Sequence, residues 1–489
     1  MGVETEYGIS APGVPGLDPV TASSILIGSY AGTLRRIRWD YDQESPLRDV
    51  RASESVGARE GGDEDVGLPN VLLPNGARYY VDHAHPEYST PECATPRELV
   101  VHDKAGERIL EMSLGEVARM FPADHRLVVY KNNSDGKGNS YGTHENDLVS
   151  RATPFDRIAR DLIPFFVSRQ VFTGAGKLGF EGGRGERSHG SMYQITQRAD
   201  FFEADIGLET TLRRPIINTR DEPHADPTKY RRLHCIVGDA NMSEISTFLK
   251  VGTAALVLKM IEDAFLPDYS LEDPVRALHE ISRDTTCRIG IRLADGRKLG
   301  AVALQWEYLG RAKEWVEVNE PDTGHDELLR RWEETLSALE ADPMSLHRQL
   351  DWVAKYRVLE GYREREGLSW NAPKLKMSDL QYHDVRRASG IYHRLAERGE
   401  IERLVSEEEI GRAIVGPPED TRAYFRGRCI GRWPGSVAAA SWDSLILDTG
   451  AASLQRIPMP EPLRGTRHHV GELLENAPDP ASMVSLLEG

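Results

Sequence analysis

Cysteine is scarce: Cys93, Cys235, Cys287 and Cys429 are the four in 489 residues, widely spaced and with no CxxC pair. That excludes a disulfide scaffold and a cysteine-held zinc, and it predicts reduced thiols in a cytoplasmic protein. Long apolar runs are missing too. With no stretch of about 18 apolar residues a membrane helix is excluded, and with no basic, apolar leader ahead of the first strand we expect no secretion. Positive charge is in deficit, 60 Lys and Arg against 77 Asp and Glu, for a net charge of −17. Such a field disfavours nucleic acid, whose binding depends on a basic surface that releases counterions.

What is present is length, and acidic side chains in short, ordered patterns. A chain of 489 residues is too long for one compact core. The expected organisation is a catalytic domain over 1–411 and a small C-terminal domain over 412–489, with Pro417-Pro418 near the boundary. Residues 38–69 stand apart: nine acidic and four basic residues, four glycines and almost no aliphatic periodicity after Ala52. A segment that cannot bury apolar surface cannot offset its ordering entropy, so this reads as a mobile insertion. Its aromatic first part, RWDYDQESPLRD, is expected to dock at the site, and Gly61 to Asp65 to stay free.

Three stretches carry the chemistry. At the N-terminus Glu4 and Glu6 are two apart on a short strand, so both face one way while Val3, Thr5 and Tyr7 face the other. Paired carboxylates call for a cation, and oxygen-seeking Mg²⁺ is the natural one. From Arg78 to Glu92, three carboxylates and two histidines fall within fifteen residues. Tyr79, Tyr80 and Val81 predict a strand with Tyr80 and Asp82 on one face, and Pro86 and Pro91 are expected to break the ladder. The third stretch, Arg213 to Glu244, includes a predicted strand with Arg232 and His234 on the same face. Arginine forks onto phosphate oxygens, and histidine can hold a metal or a phosphate. Each stretch alone has a plainer account, a solvated strand edge or a buried Arg–Asp network.

Elsewhere, residues 127–146 read as a hairpin that sets His144, Glu145 and Asn146 at one edge. Helices are predicted over 21–36, 98–120 and 153–172, and from Asn241 onward; 260–410 is helix-rich with tryptophans in packing roles. The GAGK at 174–177 lacks the spacing of a phosphate loop. A strand over 437–448 carries Trp442, which stacks on an adenine or belongs to the core.

Two acidic strands, a His-Glu-Asn hairpin and an Arg-x-His strand running into Gly-Asp-Ala-Asn resemble the carboxylate-amine ligases, glutamine synthetase and γ-glutamylcysteine ligase among them, and the motifs ETEYG, HPEYSTPE, KNNSDGKGNSYGTHEN and NTRDEPHADPTKYRRLHCIVGDAN narrow the likeness. More closely, the whole chain resembles the family that holds the Pup ligase and its sister, the deamidase and depupylase of Pup. VDHAHPE is similar to the deamidase/depupylase signature, and the 38–69 insertion resembles a loop that the ligase lacks. The resemblance implies an α+β fold: a glutamine-synthetase-like antiparallel β-sheet cradle packed with helices. It also implies that an N-terminal strand starting this early lacks its first pairing partners. ATP (or ADP with phosphate) and Mg²⁺ are the implied cofactors. Glu4, Tyr80 and Glu87 would contact Mg²⁺; Arg78 and Thr90 would contact ATP, Trp442 would lie against it, and Asp82 would be the catalytic aspartate. The physical reading, with the likeness to glutamine synthetase strands, adds Glu6, His144 and His234 on the metal side and Arg220 and Arg232 on the nucleotide side, along with Glu92 and Glu145. The implied reaction converts the C-terminal glutamine of Pup to glutamate and cleaves the isopeptide bond between Pup and a lysine. Alternatives are Pup ligation through a γ-glutamyl phosphate, or a small-molecule γ-glutamyl ligase. Pup and pupylated proteins are the expected partners of a monomer, held in a basic groove of Arg187, Arg213, Arg214, Lys229 and Arg231.

Overall fold

The computed structural model describes residues 1–31, 37–42, 44–51, 68–122, 126–181, 192–319 and 325–488. The segment 61–65, the expected helix end at Arg35 and Arg36, and Arg187 of the basic groove lie outside the described residues. The chain divides into two compact units: Met1–Val129, Arg220–Arg232 and Val405–Gly489 form one, Tyr130–Thr219 and Leu233–Leu404 the other.

The first unit is built on short alternating strands: β1 (Gly2–Glu6), β2 (Gly8–Ser10), β3 (Arg38–Trp39), β4 (Asn70–Leu72), β5 (Arg78–Asp82) and β6 (His85–Ser89). Both β1 and β5 bury every second residue, so Val3, Thr5, Tyr79 and Val81 face inward while Glu4, Glu6, Arg78, Tyr80 and Asp82 face out. In the sheet β4, β5, β6 and β1 are neighbours in that order, and the three pairings are antiparallel. The inward face is covered by α1 (Pro19–Ala31) and α2 (Pro96–Met120). Thr95 caps α2 by accepting from the Glu98 amide, and Pro96 fits its first turn. At Gly106 this helix lies so close to β6 that an added Cβ would come within 2.4 Å of the Tyr88 ring.

Two expectations for this sheet fail. Pro86 lies within β6, opposite Val81, and its carbonyl accepts from the Tyr7 amide, so the strand continues past it and carries Glu87. Nor is β1 short of partners: it pairs along β6 from Glu4↔Ser89 to Glu6↔Glu87.

Residues 437–448 are a hairpin rather than one strand. Val437–Ala440 and Ser444–Leu447 pair antiparallel, with Trp442 in the connection, and β3 and Gln455–Pro458 complete a four-stranded sheet. Ile37, Trp39 and Leu72 share its core with Phe425, Cys429, Leu445, Leu447 and Met483. The first part of the 38–69 insertion is therefore ordered and docked within this unit.

In the second unit the long helices Phe155–Thr173, Glu244–Glu262, Ala301–Asn319 and Asp326–Ala341 surround Trp332, which is fully buried. The turn at Asp135-Gly136 forms, bridging Ser134 to Ser140. Its flanks do not pair as a hairpin, however, because Val128–Tyr130 joins β2. Asn133 turns the chain out of that register, its side-chain amide donating to the Tyr141 carbonyl and its main-chain amide to Gln197. Lys177 of the GAGK stretch is bonded to Glu181. No helix among the described residues is long and apolar enough to cross a membrane, and all four cysteines are free and buried.

Candidate active site

The outward face of β5, β6 and β1 is a grid of functional groups. Across the three strands Tyr80, Glu87 and Glu6 form one row, Arg78, Ser89 and Glu4 the next. Asp82 and His85 face each other at the hairpin end. Directly opposed residues on one face stand about 5 Å apart at Cβ, and like charges there repel. Carboxylate oxygens of Glu6, Asp82 and Glu87 come within 4.8 Å of one another. Glu87 is 3% exposed, and its pKa is driven well above the usual carboxylate range, first by burial and then by the charges of Asp82, Glu6 and Glu4. The Tyr80 hydroxyl, donating at 2.6 Å, offsets part of this. Tyr80 is itself pushed up by burial and by Glu87. A cation among three carboxylates relieves the repulsion, and an all-oxygen donor set suits Mg²⁺. These residues fit the metal.

Beside the carboxylates is a stacked arginine. The Arg78 guanidinium lies between the Trp39 ring at 4.0 Å and the Tyr80 ring at 3.8 Å, and its Nε donates to Asn70. Half-buried Trp442 meets Trp39 edge to face at 5.4 Å, and its carbonyl accepts from Arg426. Thr90 is buried where β6 ends; its Oγ1 accepts from the Val3 amide at 3.0 Å. Arg232 reaches Glu4 at 3.4 Å and Glu222 at 3.3 Å. The pKa of Arg220 is lowered by burial and by the neighbouring Arg232 charge. In the second unit His144 and His234 lie with ring centroids 4.8 Å apart, and His234 is held at Nδ1 by Asn146 at 3.1 Å.

Some sequence candidates have structural partners instead. Glu145 is buried in a two-pronged ion pair with Arg169. Burial alone would raise Glu92, but the guanidinium groups of Arg426 and Arg422 hold it at about 2. The basic groove does not take the expected form. Arg214 is buried, donating to the Thr210 and Ser140 carbonyls; Arg231 is buried beside Asp221; Lys229 is paired with Glu461. Each of these three already has a local acceptor; of the expected groove residues that are described, Arg213 and Lys229 are exposed.

Trp39, Glu44 and Glu222 lie in stretches the sequence marked, but none was singled out there as a site residue. Trp39 Nε1 donates to Glu44 at 2.5 Å, and Glu222 accepts from the Ser45 amide at 2.5 Å while also meeting Arg232. The signal was the aromatic-rich start of the insertion, which buries Trp39 and Asp40.

The family model described as Pup-ligase protein matches residues 1–446. This chain belongs to that family. A depupylase of Acidothermus cellulolyticus is 55% identical over 502 aligned residues, covering 100% of this chain and 99% of that protein. A Pup deamidase/depupylase of Mycolicibacterium smegmatis is 51% identical, again over 100% of this chain and 99% of the relative. Two solved structures of the Pup ligase PafA share the fold. The one in complex with Pup matches at a TM-score of 0.81 and 32% identity, covering 100% of this chain and 93% of that one. The one with ADP matches at 0.76 and 33%, covering 89% and 99%. The architecture is thus the family's α+β fold, an antiparallel sheet backed by helices.

Proposed function

We propose that this chain is a Pup deamidase and depupylase: an ATP- and Mg²⁺-dependent amidohydrolase that converts the C-terminal glutamine of Pup to glutamate and frees Pup from substrate lysines. The observation that carries this is Asp82 standing beside the Glu6–Glu87 carboxylates, in a chain about half identical over its full length to enzymes of that name. It acts in the cytoplasm as a monomer, and four buried free thiols fit a reducing compartment. In this reading residues 1–411 are the catalytic domain, and 412–489 a small C-terminal domain that contributes Trp442.

Amides resist water because resonance weakens the carbonyl and the nitrogen leaves badly. The site must therefore supply a nucleophile or base, stabilise an oxyanion and protonate the departing amine. Asp82 is the reacting carboxylate, attacking directly or drawing a proton from water. Glu4, Glu6, Glu87 and Tyr80 hold Mg²⁺, which when bound stabilises charge on phosphate and carbonyl oxygens; His144 and His234 are further candidate ligands. Arg78, Thr90, Arg220 and Arg232 would hold the nucleotide, their cationic groups supplying charge for its phosphates, and Trp442 would lie against it. Hydrolysis of an amide is downhill, so the nucleotide is bound without being consumed.

The test is to incubate the protein with ATP, Mg²⁺ and Pup ending in glutamine, and to follow Pup by mass spectrometry. One amide turning into an acid without ATP loss is the expected result. Stoichiometric ADP release with a new Pup–lysine conjugate would instead make the chain a ligase, the activity named for its two structural neighbours.

A further inference from the structure

The turn between β5 and β6 is His83-Ala84, and His83 sits in the left-handed region at φ 50. That conformation strains a residue with a Cβ; glycine adopts it freely and asparagine with less cost. The His83 side chain is 83% exposed, so burial does not account for the strain. Its imidazole turns back onto the neighbouring carboxylate, with Nδ1 2.8 Å from Asp82 Oδ2. An ionised carboxylate only accepts, so Nδ1 carries the hydrogen. Around Asp82 stand two further carboxylates, Glu6 and Glu87, and its charge also acts on Arg220, so the orientation of its two oxygens decides which of these groups each one meets. Backbone strain kept at a reactive group is a mark of preorganisation.

We propose that His83 is a positioning residue for the amidohydrolase reaction: its left-handed backbone aims Nδ1–H at one oxygen of Asp82, fixing the carboxylate plane so that the other oxygen meets the scissile carbonyl. The inference rests on Asp82 being the reacting group.

His83→Gly removes the strain and the donor together; His83→Asn keeps a donor and tolerates the conformation. Thermal unfolding, kcat and KM for Pup–substrate cleavage, and Mg·ATP affinity by calorimetry are compared with wild type. The expected result for His83→Gly is a raised unfolding midpoint and a kcat about 10-fold lower, with KM and nucleotide affinity unchanged, and partial recovery of kcat in His83→Asn. Unchanged kcat in His83→Gly overturns the proposal, as does a kcat loss that tracks a lowered midpoint. Were wild type itself inert on Pup, the proposed function would be what failed. The ¹⁵N shifts of the His83 ring would then decide the contact. A Nδ1-protonated ring that loses this tautomer in Asp82→Ala supports the aimed donor, and identical shifts in both proteins overturn it.

Discussion

Replacing Glu92 by glutamine should cost the protein about 3 kcal/mol, and the structure says why. Glu92 accepts from Arg422 Nε at 2.8 Å and is paired with Arg426, side chains 4% and 0% exposed, while its own is 20% exposed. Burial works against the carboxylate, yet the two cations pull its pKa from 4.5 to about 2. At about 1.4 kcal/mol per unit this is worth about 3 kcal/mol, in keeping with the roughly 3–5 kcal/mol expected when buried charges lose their partner. The folded pKa is the depressed one, so the stabilisation is complete above the unfolded value near 4.5 and disappears as pH falls through about 2. Denaturant unfolding of wild type and Glu92→Gln should differ by that amount at pH 7, and the gap should narrow steadily below pH 4.5. Arg426 also holds the Trp442 carbonyl, so the variant should bind nucleotide more weakly as well. Equal stabilities at pH 7, or a gap that widens in acid, would refute the account.

Asp82→Asn should lower Pup deamidation by about a thousandfold while titration calorimetry shows near-normal nucleotide binding; wild-type turnover would remove Asp82 from the reaction. Glu87→Gln should unfold later than wild type in EDTA at neutral pH. Its carboxylate has a raised folded pKa, so any stabilisation it gives is confined to acid and is lost as pH rises above the unfolded value. The same variant should lose Mg·ATP affinity at least about tenfold, and unchanged affinity would refute the metal assignment. Gly106→Ala raises helix propensity but pushes a methyl group into the Tyr88 ring. It should destabilise the protein by about 1–3 kcal/mol, and a gain in stability would show that β6 yields there.

Much of the grid was legible because period-2 alternation assigns a face to every residue of a strand: Glu4 with Glu6, and Tyr80 with Asp82, needed nothing else. Pro86 misled because a proline ordinarily breaks a ladder. Here it lies opposite Tyr7, one residue past the end of β1, and only its carbonyl is used. Trp442 was placed in a strand since Val437 to Asp448 has no glycine or proline to mark a turn; Ser441 and Asp443 make it by bonding to each other. Partners distant in sequence left no local trace. Nothing near Glu92 announces Arg422 and Arg426 more than 300 positions away, and nothing near Arg214, Lys229 or Arg231 announces the carbonyls and carboxylates that occupy those cations.

The core around Trp39 closes only with residues from 424 to 483. At about 5–20 residues per second of synthesis, Trp39 and Leu72 wait roughly 20–80 s on the ribosome for those partners. Through that interval the acidic N-terminal strands and the helices behind them are made, but the apolar side chains of Ile37, Trp39 and Leu72 lack their later partners. A nascent chain that exposes this apolar surface for so long is a fitting client for chaperones, and a ribosomal stall ahead of residue 424 leaves a product with the Trp39 core unfilled.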